Sequence, residues 1–125
     1  GSVMIETDSH IPSIVLAVPQ KDEDLTNLSE LLNGVEEEEI PLSVAVINEG
    51  DNVDNAYQAA LHSKLAVGIA YDSQSVVLHY KNLQPREPLF TVPMQNNAQL
   101  RALGANAARL VKGTPFKLFK GSETE

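Results

Sequence analysis

At 125 residues, 42% of them hydrophobic, the chain is long enough for one domain with its own core and short for two, and no apolar run approaches the ~20 residues of a membrane helix. It has no cysteine, which excludes a disulfide framework and thiolate chemistry, and it shows no signal-peptide pattern, so a cytoplasmic protein is expected. The net charge of -8 divides into -12 over residues 1–60 and +4 over residues 61–125, which argues against generic nucleic-acid binding and suits either a protein partner with complementary patches or a fold in which the two signs meet.

Residues 1–11 have no clear periodicity, and Gly1 and Ser2 read as a cloning scar, so a disordered or tag-derived terminus is expected there. Ser13 to Val18 is a short apolar run with β-branched residues between Pro12 and Pro19, the pattern of a buried strand. Asp22 to Asp24 supplies acidic groups for a helix start, and Leu25, Leu28, Leu32 and Val35 form one apolar face of a helix over about Leu25 to Glu38, which Pro41 stops. Leu42 to Ile47 is a second buried strand. A polar turn then leads to a helix over about Val53 to Ser63 with Val53, Tyr57, Ala60 and Leu61 as its expected apolar stripe.

Ala66, Gly68 and Ala70 alternate with Val67, Ile69 and Tyr71, and Val76, Leu78 and Tyr80 alternate with Val77, His79 and Lys81. Both runs have the period of two that a pleated strand gives. Only Asp72, Ser73 and Gln74 separate them, so they must form an antiparallel hairpin, because a parallel return needs a crossover of about a dozen residues. The first run is small and apolar on both faces, as a central strand would be; the second is polar at one end, as a strand with one wetter face would be. Pro85, Pro88 and Pro93 enclose a short strand, Leu89 to Val92, which they confine to an edge. The last helix is expected over about Asn97 to Lys112 and ends at Gly113 and Pro115. Its interior Gly104 costs ~1 kcal/mol against alanine and points to a close backbone approach.

The order β-α-β-α-β-β-β-α makes the first three strands parallel and the fourth antiparallel. The expected fold class is therefore α/β, with a mixed five-stranded sheet in one domain over residues 12–116 and a flexible tail over 117–125.

Most signatures of catalysis are missing. No GxGxxG or GxxxxGK[ST] follows a strand, so the chain has no recognisable nucleotide-binding loop, and no serine sits in a GxSxG elbow. His10, His62 and His79 are far apart and lack spaced metal-ligand partners; His79, on a strand beside Tyr80 and Lys81, reads as a structural or interface histidine sooner than a catalytic one. The odd feature is the run Glu36, Glu37, Glu38, Glu39 at the end of the first helix, where the macrodipole is negative and each exposed carboxylate is unfavourable by ~0.3–1 kcal/mol. A solvated charged helix end is the plain explanation. A hard cation such as Mg²⁺ or Ca²⁺, or a basic patch on a partner, would also compensate the run. Neighbours on a helix point about 100° apart, so at most one or two of the four could reach a common ion and the other ligands would come from elsewhere.

VGIAYDSQSVVLHYKNL, EPLFTV and GANAARLVKGTPF, together with GVEEEEIP and NVDNAYQAA, resemble the small subunits of the reactivating factors for adenosylcobalamin-dependent diol or glycerol dehydratase. The resemblance runs from about Ile14 to Phe116. It implies a three-layer α/β/α fold shared with part of the dehydratase's own medium subunit. It also implies a chaperone-like, non-catalytic role beside a large partner subunit that binds and hydrolyses ATP, the two forming a heterotetramer of two copies each. The small subunit of such a factor displaces the medium subunit of the dehydratase by mimicry, so that damaged cobalamin leaves.

The family's GIEEEGIP pattern makes the second glutamate of its run an interface ligand to a divalent cation, Mg²⁺ or Ca²⁺, held mainly by the large subunit. That position is Glu37 here. Glu39 stands where the family often has glycine, so the helix end can differ, with Glu36 or Glu38 as the alternative ligand. The dehydratase large subunit is the implied client, and neither nucleic acid nor a membrane is an expected partner. Enclosure in a bacterial microcompartment, and the choice between glycerol and propane-1,2-diol dehydratase as client, stay open. The rival readings are the dehydratase medium subunit itself, which is typically longer, and a stand-alone α/β ligand-binding or hydrolytic domain.

Overall fold

The structure is a computed structural model that describes Ile5–Glu6 and residues 11–119; the remainder of the expected N-terminal segment, and residues 120–125 of the expected tail, lie outside the described residues. The strands are β1 (Ile5–Glu6), β2 (Ile14–Val18), β3 (Leu42–Val46), β4 (Val67–Tyr71), β5 (Ser75–Tyr80) and β6 (Phe90–Pro93). The helices are α1 (Ser29–Glu37), preceded by a 3₁₀ turn at Thr26–Leu28, then α2 (Asn52–His62) and α3 (Asn97–Lys112). The sheet order is β1-β3-β2-β4-β5-β6. β2 pairs in parallel with β3 and β4, and β5 pairs antiparallel with β4 and β6. The predicted mixed sheet and element order are therefore observed, with the two-residue β1 added in parallel on β3.

Period-two alternation distributes the core. Ile14, Leu16 and Val18 of β2 face a large apolar cluster with Leu28, Leu31, Val35, Leu100 and Leu103, under α1 and α3. Val15 and Ala17 face the other way, onto Ala56 and Ala59 of α2. Helices thus cover both faces, the three layers expected. β4 lies between β2 and β5 as a central strand, and the Asp72 carboxylate closes its hairpin by accepting from the Gln74 and Ser75 amides at 2.8 and 2.9 Å. β5 is drier than its sequence suggested: Val76 to His79 are all buried, because α2 reaches over it as well as over β4.

The buried face of α2 differs from the predicted stripe. Ala60 is fully buried as expected, but Ala56 and Ala59, which lay outside the stripe, are fully buried too, while Leu61 is 43% exposed. The cause is Gly68 on β4: a side chain there would collide with the backbone of Ala56, Ala59 and Ala60, so the helix rides close to the strand and only alanine fits between. The close approach expected at Gly104 is observed. A Cβ there would strike the Leu31 carbonyl and come within 3.1 Å of the Val35 nitrogen, and Gly34 on α1 reciprocates against the Arg101 carbonyl and the Ala105 nitrogen. Residues 114–119 pack back on the edge: the Phe90 ring meets Phe116 and Phe119 edge-on, and buried Asn106 bonds both the amide and the carbonyl of Lys117.

Candidate functional site

α1 and α3 lie side by side and run in the same direction, since Glu30 meets Arg101 near their starts and Glu38 meets Arg109 and Lys112 near their ends. Two negative helix ends therefore converge where the glutamate run sits, and two bases in the last turn of α3 offset both. Arg101 grips Glu37 at 2.6 Å (Nη2 to Oε2) and 3.3 Å (Nε to Oε1), and its Nη1 reaches Glu30 at 2.9 Å. The Arg101 guanidinium holds the Glu37 carboxyl below the usual carboxylate range. Glu38 is held low by Lys112, at 2.6 Å, and then by Arg109, against the opposing effect of its own burial. Lys112 also donates to the Glu38 carbonyl at 3.3 Å, one of the groups that a helix end leaves unpaired. Glu36 and Glu39 have no ion-pair partner among the described residues.

Two of the four glutamates, Glu37 and Glu38, are thus compensated from within the chain. All six ion pairs among the described residues join an acid from residues 1–60 to a base from residues 61–125, so the two charge blocks meet across the fold. Sequence reasoning missed Arg101. The spacing of seven between Glu30 and Glu37, which puts both on one side of α1, is the signal that a single base could bridge them.

No group of three or more potential ligands capable of holding a metal ion occurs among the described residues. The glutamates alone therefore do not form a complete cation site. Their exposure separates them: the Glu37 side chain is 45% accessible and that of Glu38 only 14%. A bidentate arginine leaves further lone pairs on the Glu37 carboxylate open toward solvent.

Glu39 adopts φ 65°, the left-handed conformation that ends a helix, with its amide bonded to the Glu36 carbonyl at 2.9 Å. A side chain is strained there by ~1 kcal/mol or more. Glu39→Gly should therefore raise stability by about 0.5–1 kcal/mol, with the greater freedom of glycine in the unfolded chain offsetting part of the relief. Chemical denaturation checks this; an unchanged or lower midpoint would show that the helix end gains nothing from glycine.

His79 is fully buried: Nε2 donates to the Pro85 carbonyl at 3.0 Å, Nδ1 accepts from the Tyr80 amide at 2.9 Å, and the ring lies 5.1 Å from that of Tyr57. Both ring nitrogens are spent on the fold, as a structural histidine requires. His62 is exposed and bonds its own helix at the Gln58 carbonyl, and His10 lies outside the described residues.

Glycine-tight helix packing and a charge-paired helix end on a mixed sheet define a three-layer α/β domain. The profile of the dehydratase medium subunit family matches residues 11–117, and the chain belongs to that family. It is 46% identical over 114 residues to the propanediol dehydratase-reactivating factor small subunit of Salmonella typhimurium, covering 90% of this chain and 97% of that protein. It is 47% identical over 107 residues to the diol dehydratase-reactivating factor small subunit of Klebsiella michiganensis, covering 85% of this chain and 84% of that one. Among solved structures it is similar to a chain of a diol dehydratase-reactivating factor complexed with ADP and Mg²⁺, at TM-score 0.75 and 42% identity over 86% of this chain and 97% of that chain. It is also similar to a glycerol dehydratase reactivase, at TM-score 0.78 and 31% identity over 87% and 99%.

Proposed function

We propose that this chain is the small subunit of a reactivating factor for an adenosylcobalamin-dependent diol or glycerol dehydratase. In this proposal it assembles with a large subunit, two copies of each, and the large subunit binds and hydrolyses ATP. The complex displaces the medium subunit of a stalled dehydratase, and damaged cobalamin leaves. The observation that carries the proposal is the 46% identity spanning 97% of a reactivating-factor small subunit. The absence of a phosphate-binding loop supports placing the nucleotide on the partner. Competition between two similar surfaces for one dehydratase subunit needs no chemistry on this chain, only differential affinity set by nucleotide state.

In the same proposal Glu37 is an interface ligand to Mg²⁺ or Ca²⁺, with the remaining ligands on the large subunit. Its greater exposure favours it over Glu38; Glu36 is the alternative. The protein acts in the cytoplasm, with or without a microcompartment shell.

The test is to add the chain, its cognate large subunit and ATP to dehydratase inactivated with damaged cobalamin. Recovery of turnover on adding fresh cofactor is expected, and the chain alone should neither restore activity nor hydrolyse ATP. No recovery with a matched pair would overturn the proposal. Support of turnover by this chain with the dehydratase large subunit would assign it as a medium subunit instead.

A further inference from the structure

The opposite end of the sheet holds a second site. β2 lies between β3 and β4, and the chain leaves β2 for α1 on one face and β3 for α2 on the other. The loops after β2 and β3 therefore part at the carboxyl ends of the strands, the switch point where open α/β sheets take ligands. A cavity of about 470 Å³ opens there, with Ala17, Ile47 and Ala70 on its apolar wall and, among the described residues, no lysine, arginine or histidine in its lining.

Most of its polar groups are occupied. Asp24 accepts from the Thr26 amide and hydroxyl at 2.9 and 2.6 Å. Asp51 caps α2 through the Asp54 amide and holds Arg86. Asp72 is spent on the hairpin turn, and Asn55 accepts from the Glu49 and Gly50 amides. Two buried atoms have no hydrogen-bond partner among the described residues, Glu23 Oε1 and the Tyr71 hydroxyl, both on side chains that are otherwise partly exposed. Each such orphan is destabilising until a partner meets it. Both residues line this cavity, and burial, with the Glu23 charge adding to it, pushes the Tyr71 phenol up to about 12.

A carboxylate only accepts and a phenol oxygen does either, so a ligand that satisfies both must bring N–H or O–H donors. The acidic lining repels phosphate and carboxylate groups and favours a cation. We infer that this cavity binds an ammonium or guanidinium group between Glu23 and Tyr71, carried either by a free amine or by a lysine or arginine of the partner subunit.

Two arms test the site. The full chain, labelled with ¹⁵N, is titrated with n-butylammonium and methylguanidinium at constant ionic strength, with butanol as the neutral control. Saturable amide shifts at Ala70, Tyr71 and Asp72, at least tenfold weaker in Glu23→Gln and Tyr71→Phe and absent with butanol, are expected for a free amine. In the second arm, which rests on the function proposed above, Glu23→Gln is compared with wild type in binding the large subunit. A tenfold loss there, without small-cation binding, assigns the group to the partner. Failure of wild type to bind either cation together with unchanged subunit association would overturn the site, as would equal shifts in wild type and variants. If wild type binds no large subunit at all, the functional proposal falls and the first arm alone decides the cavity.

Discussion

Replacing Gly104 by alanine is expected to destabilise the protein by about 2–4 kcal/mol, although alanine is the better helix former by ~1 kcal/mol. The new methyl would be driven into the carbonyl of Leu31, with the Leu31 carbon at 3.0 Å and the Val35 nitrogen at 3.1 Å. All three are backbone atoms of α1, so no rotamer change relieves the contact; α1 must move away from α3. That movement opens the cluster in which Leu31, Val35, Leu100 and Leu103 are buried, and dispersion contacts are lost along the seam. It also draws Glu30, Glu37 and Glu38 away from Arg101, Arg109 and Lys112, so the acidic helix end should lose its alignment with the core. Gly34→Ala should behave alike, since its methyl would meet the Arg101 carbonyl and the Ala105 nitrogen. Urea denaturation of both variants checks this, and a midpoint equal to or above that of wild type for Gly104→Ala would refute the close crossing.

What was legible follows from how local each cause is. The hairpin was readable because its alternation and three-residue turn lie within one stretch, and its register, Val67 with Tyr80 through Tyr71 with Val76, follows from that turn. The central place of β4 was readable from its small residues. The face of α2 was not, because the choice of Ala56 and Ala59 over Leu61 is dictated by Gly68 on a later strand. Arg101 lies 64 residues beyond Glu37, so nothing near the glutamate run announces its partner. The same holds for Glu23 and Tyr71: each looks ordinary alone, and only the switch of the chain from β2 to the two faces brings them to one cavity.

Glu37→Ala is expected to weaken divalent-cation-dependent association with the large subunit by about thirtyfold, close to 2 kcal/mol, while leaving the fold intact. The fold should survive because Glu37 is 45% exposed and its pair with Arg101 is of the kind worth about 0–1 kcal/mol. Arg101 keeps Glu30 as a partner, so the loss does not leave it unpaired. Arg101→Met separates the two roles of the carboxylate. If Glu37 serves only α1–α3 packing, Arg101→Met and Glu37→Ala should act alike on association. As a cation ligand, Glu37 freed from Arg101 should bind at least as well as before, so Arg101→Met should keep or strengthen the cation dependence that Glu37→Ala removes. Chelator should then weaken wild type and Arg101→Met but leave Glu37→Ala unchanged. Measuring subunit affinity for the three proteins with Mg²⁺ and with chelator decides it: equal chelator sensitivity in Glu37→Ala and wild type would exclude Glu37 as the ligand and leave Glu36, whose carboxylate has no ion-pair partner among the described residues, and Glu38 as the alternatives.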